Sequence, residues 1–580
     1  MRRDSESEGP KAAADGGSAH VVMRKGVFLR EATGLVREMN TFDVLAMNSF
    51  NISAGLGLAF VLYVAPTVFF NAGPDGIPIG VFLATLGGLS GALTFAILTA
   101  MVPRSVGDYV LVTRTFHPAL GFATNWTWAF WNIVWAGILT SFITNWALYD
   151  LLSIYGTMNN APGLYNLAYA PQLSTNSSYF WTLYPPSSGL NILLGTIIIA
   201  LFGVMLSVGP KAFLYFQRVV FTIGLFSLIV ALGVMATATH AQFVANWNAY
   251  AATWQTNPAD YDTIRTGWAG GVPTYAAWLA ILGVVPVASW SLAYGQATTA
   301  LGGEIKRPNR NLPIGAALSV LIAGIVMALG AFLFIRVVGL DFLSGSGNAY
   351  FATLGSNPNT ASPWYGFYPP PFFDFWVSLI AQSPVITLIV GIGFICWILY
   401  YPGLDCLMNT RALLAWSFDR ITPGYFGKVS DRFHTPVRAV GLFSVLNWVA
   451  LVIFSLNFSL VGSLTATLAV FLTMFLVMGL VGLVFPFTRK TKPIFQASPL
   501  KWKVGPVPIL TIASIGWLLF LFTGIYFYLK EDYLASNRPI MLIMSGIVFF
   551  AAFPIYYAAK AFRKSQGIDI RLAFKEIPPE

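Results

Sequence analysis

The stretch GVVPVASWSLAYGQATTALGGEIKRPNRNLP, residues 283–313, begins as an apolar helix and loses its helical pattern near its middle. Pro286 and the run SWSLAYGQ, residues 289–296, place a helix breaker, two large aromatic residues and a glycine deep in an apolar segment. Backbone groups left unpaired in a bilayer cost several kcal/mol each unless protein, water or a ligand satisfies them. Broken helices of this kind line the binding sites of membrane carriers. The stretch therefore predicts a substrate site at broken helices, followed by a basic turn that restarts a helix at Pro313.

The composition places most of the chain in a membrane. Of the 580 residues, 56% are hydrophobic and 10% are charged, and the mean hydropathy is +0.68. Soluble proteins carry about 25% charged residues, so the sequence predicts an all-α integral membrane protein. Cys396 and Cys406 lie too far apart along one apolar helix to form a disulfide. Because the four histidines are scattered, we expect no metal site, and we expect no cofactor.

Twelve apolar segments reach the roughly 20 residues needed to cross a bilayer. With the N-terminus inside, 29 of the 33 lysines and arginines fall on the inner side, in the tails, the inner loops or the adjoining ends of spans, as the positive-inside rule requires. The sequence thus predicts a multi-pass plasma-membrane protein with both termini in the cytoplasm. The net charge of +10 then reflects topology and contact with membrane lipids, not nucleic-acid binding. The predicted spans are residues 43–70, 77–102, 118–152, 189–208, 213–238, 273–300, 313–338, 379–409, 435–455, 459–487, 504–529 and 539–562.

The first predicted span also contains a weak point. It reads MNSFNISAGLGLAFVLYVAP over residues 47–66, has no charged residue, and carries Gly55 and Gly57 near Asn51 and Ser53. Glycines let a backbone unwind, and a new helix N-terminus presents free N–H groups and the positive end of the helix dipole. A carboxylate is a natural ligand of such a terminus. The alternative is that these small residues only allow neighbouring helices to pack closely.

Four stretches of the chain resemble the amino acid–polyamine–organocation permeases. Residues 290–313 are similar to the family's sixth helix and following loop, and NISAGLG at 51–57 resembles the break in its first helix. VPRSVGDYVLVTRTFHPALGF at 102–122 and RALLAWSFDRITPGYFGKVSDRFHTPV at 411–437 resemble the loops after helices 2 and 8. The resemblance implies a leucine-transporter-like fold of twelve transmembrane helices. Its core would be a five-plus-five inverted repeat with broken helices 1 and 6.

This resemblance divides the chain into four predicted regions. They are a cytoplasmic disordered tail, a ten-helix transport core, two peripheral helices and a cytoplasmic C-terminal tail, over residues 1–35, 36–488, 489–565 and 566–580. No apolar core follows the arginines of the first tail, so we do not expect a signal peptide. The outer loops 153–188 and 342–373 carry no charged residue and are rich in Asn, Ser, Tyr, Pro and Gly. We predict that both fold as caps over an outer vestibule.

By the same resemblance, the substrate is an amino acid or a related small organic solute, moved by alternating access. Its carboxylate would meet backbone N–H groups between Ser53 and Gly57, and its amino group would meet carbonyls near Ile52 and between Ala288 and Ser291. An aromatic lid or cation–π contact would come from Trp290. The alternative is that Trp290 and Tyr294 only pack in the core. The implied substrate-binding residues are Ile52, Ser53, Ala54, Gly55, Gly57, Ala288, Trp290, Ser291 and Tyr294.

The chain departs from the family's pattern at points that concern binding and ion coupling. Its first-helix break reads AGLG, residues 54–57, in place of Gly-Ser-Gly, and Gln296 stands where some relatives carry a glutamate. No lysine occurs between Phe213 and Ala236, where some proton-linked members carry one. These absences weaken the prediction of proton coupling and leave sodium, protons or exchange open as the drive. No GxxxxGK loop is present, so we do not expect ATP to drive transport.

One carboxylate lies inside a predicted span. Asp405 stands six residues before Arg411, about 9 Å along a helix, which leaves it in the inner half of the membrane. Intramembrane carboxylates usually face a cavity or a partner. We predict that Asp405 binds the coupling cation or a cationic group of the substrate. The alternative is a structural ion pair with an inner-loop arginine such as Arg411.

The third span carries a polar stripe. Asn125, Trp128, Asn132 and Trp135 share one side of a helix. Two amides and two indoles suit a polar, stackable solute, with Asn132 as a candidate substrate ligand. They equally suit hydrogen bonds between helices.

The inner loops carry the charged residues that the family resemblance implicates in gating. The gating positions that it implies are Arg104, Asp108 and Arg411. We expect Asp43 and Glu304 to form ion pairs at the inner ends of spans 1 and 6, with neighbours such as Lys306 or Arg307.

Two other function classes are alternatives to a carrier. An intramembrane enzyme would need a nucleophile–base pair or a metal cluster within the spans, and neither an HExxH nor a GxSxG motif is present. We therefore predict no enzymatic activity. A substrate-gated channel, or a transporter-like receptor for a small amine or organic cation, shares uncharged broken helices with a carrier. That alternative stays open at this point.

Overall fold

The fold is described from a computed structural model. It describes residues 35, 37–168, 185–268, 275–353, 359–365, 369–456, 467–531 and 539–574. Apart from Leu35, the predicted N-terminal tail lies outside these residues.

Among the described residues, the first half of the chain contains twelve α-helices. In chain order they are α1 Thr41–Ile52, α2 Ala54–Val68, α3 Gly73–Met101, α4 Gly107–Thr115, α5 Pro118–Phe142, α6 Tyr149–Met158, α7 Pro162–Ala168, α8 Pro185–Val208, α9 Pro210–Thr237, α10 His240–Trp254, α11 Tyr261–Gly267 and α12 Ala277–Leu292.

The second half continues this helical architecture, with one short antiparallel pair of strands, β1 Lys503–Val504 and β2 Val507–Pro508. Its helices are α13 Pro308–Val338, α14 Leu340–Phe351, α15 Phe373–Ala381, α16 Pro384–Leu399, α17 Tyr401–Phe418, α18 Val437–Leu456, α19 Thr467–Val470, α20 Leu476–Val484, α21 Lys492–Ala497, α22 Ile509–Lys530 and α23 Pro539–Ser565.

The predicted all-α membrane fold is confirmed. Shorter apolar helices lie at Ala277–Leu292 and Leu468–Val484, and α5 has 25 residues. All twelve predicted segments overlap helices, although the count of twelve membrane crossings stays a prediction. Among the described residues, nine helical stretches are long and apolar enough to cross a membrane: Thr41–Val68, Phe70–Met101, Gly189–Val208, Pro210–Thr237, Pro308–Val338, Pro384–Phe418, Val437–Leu456, Ile509–Lys530 and Pro539–Ser565.

Both predicted breaks are present. The first span is interrupted at Ser53, between α1 and α2, and the sixth ends as an α-helix at Leu292. Beyond Leu292 the chain forms only turns and 3-10 segments until α13 begins. The predicted restart at Pro313 was wrong, because α13 begins at Pro308. A proline at the start of a helix loses no hydrogen bond, so Pro308 can begin α13 without penalty.

Span 2 packs closely against its neighbours because its contact positions are glycines. A Cβ atom at Gly80 or Gly88 would collide with α12, and one at Gly87 or Gly91 would collide with aromatic rings of α22. Small residues permit this close approach of membrane helices. Helix α22 also reaches span 6, where the Tyr528 hydroxyl donates to the Pro286 carbonyl at 2.9 Å. The predicted division at residue 488 stays a prediction.

The short helices at the end opposite α4 enclose an aromatic cluster. Trp247 of α10, Phe342 of α14 and Trp376 of α15 are fully buried, with ring centroids 5.1 to 5.9 Å apart. Folded structure is therefore present in the predicted cap 342–373. Residues 169–184 of the other predicted cap lie outside the described part of the chain.

Candidate substrate-binding site at the two breaks

The first break is made by one residue. Ser53 has a left-handed backbone with φ of +51°, a conformation that costs a non-glycine residue about 1–2 kcal/mol. Its hydroxyl donates to the Trp397 carbonyl at 2.9 Å, and its N–H still donates to the Ser49 carbonyl at 2.8 Å. The chain therefore turns at Ser53, and not at the glycines to which the sequence analysis attributed the unwinding.

Those glycines lie inside α2, where they allow close packing. A Cβ atom at Gly55 would collide with the Trp397 indole, and one at Gly57 would collide with the Ser291 side chain. The packing alternative for these small residues therefore holds at both positions. The Gly57–Ser291 contact also brings α2 directly against α12.

Hydrogen bonds join the two breaks to each other. The Ser291 hydroxyl donates to the Ile52 carbonyl at 2.5 Å, and the Asn51 amide donates to the Tyr294 carbonyl at 2.7 Å. These bonds satisfy backbone groups that the interrupted helices would otherwise leave unpaired. The predicted residues Ile52, Ser53 and Ser291 thus lie together, but one hydrogen bond of the Ile52 carbonyl is already made within the protein.

The start of α2 offers a smaller set of amides than the sequence predicted. The Gly57 N–H donates to the Ser53 carbonyl at 2.8 Å, so it is used within the helix, and the side chain of Ser53 does not cap α2. The N–H groups of Ala54, Gly55 and Leu56 precede that bond and have no acceptor within the helix. They are the groups that an anion could reach at the positive end of the helix dipole.

Aromatic rings surround the second break. Half-buried Trp290 lies edge-on to Phe60, with centroids 4.9 Å apart, and no described residue accepts a hydrogen bond from its buried indole N–H. Tyr294 is stacked with Trp128 at 6.3 Å and meets Phe475 at 5.5 Å. Ala288, on the preceding turn of α12, is fully buried.

The polar stripe of the third span contacts other helices. Asn132 donates to the Asn409 side chain at 3.1 Å, and Asn409 donates in turn to the Ala129 carbonyl at 3.0 Å. Asn125 donates to Asp108 at 2.9 Å. These bonds favour the helix-contact interpretation over the solute interpretation, and a substrate contact of Asn132 stays a prediction.

Asp405 is buried in α17 and does not pair with Arg411. It is 3% exposed, and no described residue forms a hydrogen bond with its Oδ2. One turn earlier, the Tyr401 hydroxyl donates to the Asn51 carbonyl at 3.0 Å, which ties this face of α17 to the first break. Asp405 therefore lies beside the breaks with acceptor capacity to spare.

Two ion pairs with buried carboxylates lie on the inner side, which we define as the side that carries α4. Arg411 holds Glu304 through two bonds of 2.7 and 2.9 Å, and Arg218 holds Asp43 through bonds of 2.8 and 3.0 Å. The predicted partners, Lys306 and Arg307, were wrong: the buried carboxylates pair with arginines that project from spans, and Lys306 is exposed. A buried carboxylate needs a cation that reaches the interior.

A comparison with known protein families gives the chain its class. The family model described as "Amino acid permease" matches residues 39–553. The chain belongs to the amino acid permease family. This membership confirms the resemblance found in the sequence and extends it from about residue 440 to the last long helix. The permease is therefore a multi-pass membrane protein that transports amino acids.

Two of the predicted gating residues flank the start of α4 in the permease. Arg104 donates to the Pro103 carbonyl at 2.9 Å, and Asp108 is 3% exposed. Burial raises the pKa of Asp108 to about 6, against the opposing effect of its hydrogen bond with Asn125. The Val106 N–H donates to the Ala300 carbonyl at 2.9 Å, so α4 is fastened to the unwound part of span 6. Their role in gating stays a prediction.

Two clusters of ionisable residues in the permease were not predicted from the sequence. On the inner side, Asp419 accepts from Tyr109 at 2.7 Å and from Arg114 at 3.1 Å. On the outer side, the carboxyl of Asp374 in α15 lies against that of Asp150 in α6. The available signal was a charged residue beside or inside an apolar segment, because such a residue requires a partner.

Proposed function

We propose that the permease moves its amino acid by alternating access around the two breaks, driven by an ion gradient or by exchange across the plasma membrane. The supporting observation is that the breaks lie against each other in the buried centre, joined by the Ser291–Ile52 and Asn51–Tyr294 hydrogen bonds. Because Gly57 touches Ser291, substrate entry requires α2 and α12 to separate. Both termini would face the cytoplasm, as the charge asymmetry predicts.

The ends of the substrate would meet opposite kinds of backbone group. The substrate carboxylate would accept from the N–H groups of Ala54, Gly55 and Leu56, with support from the α2 dipole. The amino group would replace the Ser291 hydroxyl at the Ile52 carbonyl. Trp290 would cover the bound molecule, since it lies on α12 one residue before Ser291.

Asp405 would carry the cation of the transport cycle. Its buried Oδ2 accepts no hydrogen bond from any described residue and lies one turn from Tyr401, which contacts the first break. This oxygen would bind a coupling sodium ion or proton, or a cationic group of the substrate. Asp405→Asn should therefore change the dependence of transport on sodium or pH. Normal transport by this variant at every sodium concentration and pH would remove Asp405 from the proposal.

Counterflow into proteoliposomes tests the mechanism. Vesicles loaded with a mixture of unlabelled amino acids should take up labelled amino acids faster than empty vesicles, with saturable rates. A substrate-gated channel would instead give unsaturable flux without stimulation from the far side, and a receptor would give binding without flux. Imposed sodium and proton gradients, applied separately, then identify the drive.

Two tryptophans of α12 provide a matched pair of variants. Trp290→Ala should raise the KM at least tenfold, because a buried aromatic contact contributes more than about 1.4 kcal/mol. Trp278→Ala, on the same helix but 65% exposed, should leave the KM within about twofold. Equal KM values for both variants would argue that Trp290 is only a packing residue.

A further inference from the structure

A small cavity lies on the inner side of the second break. It is enclosed by the start of α4, by α5, by α17 and by the 3-10 turn Ala297–Ala300, and its volume is about 10 Å³. That is room for one occupant the size of a water molecule. Asp108, Asn125 and Gln296 supply its polar lining, together with Thr299. Neither Asp405 nor the residues assigned to the substrate line this cavity.

The cavity contains a carboxylate that lacks a counter-ion. Asp108 is 3% exposed and accepts from the Asn125 amide at 2.9 Å, and backbone N–H groups at the start of α4 also bond it. No lysine, arginine or histidine of the described chain forms an ion pair with it. A buried carboxylate without a counter-ion is costly, so a cation or a proton should accompany it.

The amides of the cavity wall point independently to a ligand. Gln296 is 3% exposed, and neither its Oε1 nor its Nε2 has a hydrogen-bond partner among the described residues. The Asn125 Nδ2 donates to Asp108, and no described residue donates a hydrogen bond to the Asn125 Oδ1. The wall thus offers one carboxylate and two amide oxygens, the ligand type that hard cations prefer.

We infer that this cavity is a binding site for a small monovalent cation of the size of sodium, held by Asp108, Asn125 and Gln296. One positive charge balances the single carboxylate, whereas a divalent ion would leave net charge buried. The bound ion would join α4 to the unwound segment of span 6, alongside the Val106–Ala300 hydrogen bond. This site is distinct from Asp405 and does not rest on the proposed transport cycle.

Thermal unfolding of the purified full-length protein tests the site. Sodium chloride is compared with choline chloride at equal ionic strength, at about pH 8, where Asp108 is ionised because its pKa is about 6. A cation that binds only the folded state raises the unfolding temperature in proportion to the logarithm of its concentration. We expect the sodium-dependent rise to be larger in the wild type than in Asp108→Asn or Gln296→Leu. The same difference should persist when Asp108→Asn is introduced into Asp405→Asn, so that sodium at Asp405 does not mask it. Asp108→Asn keeps the shape of the side chain and an acceptor for Asn125.

Equilibrium dialysis with radioactive sodium provides a second readout that does not depend on the stability of the variants. The wild type and Asp405→Asn should each retain the Asp108-dependent sodium, and Gln296→Leu should bind at least tenfold more weakly. The inference is overturned if the wild type binds no sodium, in which case the cavity holds only water. It is also overturned if Asp108→Asn binds as the wild type does, or if Asp405→Asn alone abolishes binding. Failure of amino acid counterflow, by contrast, would leave this result unchanged.

Discussion

Single side chains fix where the first span breaks, and Ser53 permits a direct test. Ser53→Ala removes the bond to the Trp397 carbonyl and keeps the left-handed strain, so it should destabilise the permease by about 1–3 kcal/mol. Ser53→Gly loses the same bond, but glycine accepts a positive φ, which should restore about 1 kcal/mol. Thermal unfolding in one detergent should therefore rank the glycine variant above the alanine variant. The reverse order would show that the left-handed conformation carries no strain here.

The buried Glu304–Arg411 pair should make the stability of the permease sensitive to the loss of either charge. Glu304→Gln leaves the Arg411 charge, which is 1% exposed, without its partner, and should cost about 3–5 kcal/mol. Replacing both residues by methionine removes both charges and should recover most of that loss. Arg265→Gln breaks the exposed pair with Asp262 and should leave the stability nearly unchanged. If the double variant is no more stable than Glu304→Gln, the pair does not behave as a buried charge pair.

Helix α15 should make the stability of the folded protein depend on pH through Asp374. Burial raises the pKa of Asp374, which lies outside the membrane-spanning helices, from 3.8 to about 6. A carboxyl whose pKa rises on folding stabilises the folded state fully below its unfolded pKa, and this contribution is lost as the pH rises through the folded value. Stability should therefore fall as the pH rises from about 4 to about 6, because the carboxyl of Asp374 must ionise while it lies against that of Asp150.

Asp374→Asn should flatten this fall without abolishing it, because Asp108 titrates in the same direction. Asp75→Asn, at an exposed position at the start of α3, serves as the control and should leave the pH profile unchanged. Unfolding temperatures measured across pH 4 to 8 compare the three proteins. A profile of Asp374→Asn that matches the wild type would contradict the assignment.

The elements were more predictable than the contacts between them. Apolar length located the helices, and the proline and glycines near Trp290 located the second break. The sequence did not locate the first break at Ser53, because the groups that hold Ser53 and Ile52 belong to Trp397 and Ser291, which are distant in the chain. Packing against those residues, and not local propensity, sets the turn.

The partners in the ion pairs of the inner side were not predicted from the sequence for a related reason. Asp43 and Arg218 are 175 residues apart, and Glu304 and Arg411 are 107 apart. Sequence proximity favoured Lys306 and Arg307, but those residues belong to the turn before α13. Pairing between spans depends on tertiary packing, which periodicity and composition do not encode.

Across the whole molecule, the segment before α1 and the end of α23 reach the same inner surface. The N–H groups of Glu38 and Met39 donate to the Glu304 carbonyl at 2.9 and 3.1 Å. At the other end, Arg563 donates to the Arg420 carbonyl at 2.9 Å. The loops after spans 6 and 8 are therefore hydrogen-bonded to the segment before α1 and to the end of α23, respectively.

The 3-10 turn Ile570–Phe574 contacts Arg114 of α4 on the inner side. Phe574 lies under the Arg114 guanidinium at 5.1 Å, while Arg114 also donates to the Ala573 carbonyl at 3.2 Å and binds Asp419. Phe574→Ala removes the ring and should loosen Arg114, so backbone amides of residues 417–422 should exchange with deuterium severalfold faster. Leu572→Ala changes a neighbouring side chain that is 46% exposed and should leave that exchange unaltered. Equal exchange in both variants would mean that the Phe574 ring does not hold Arg114, the arginine that binds Asp419 at the end of α17.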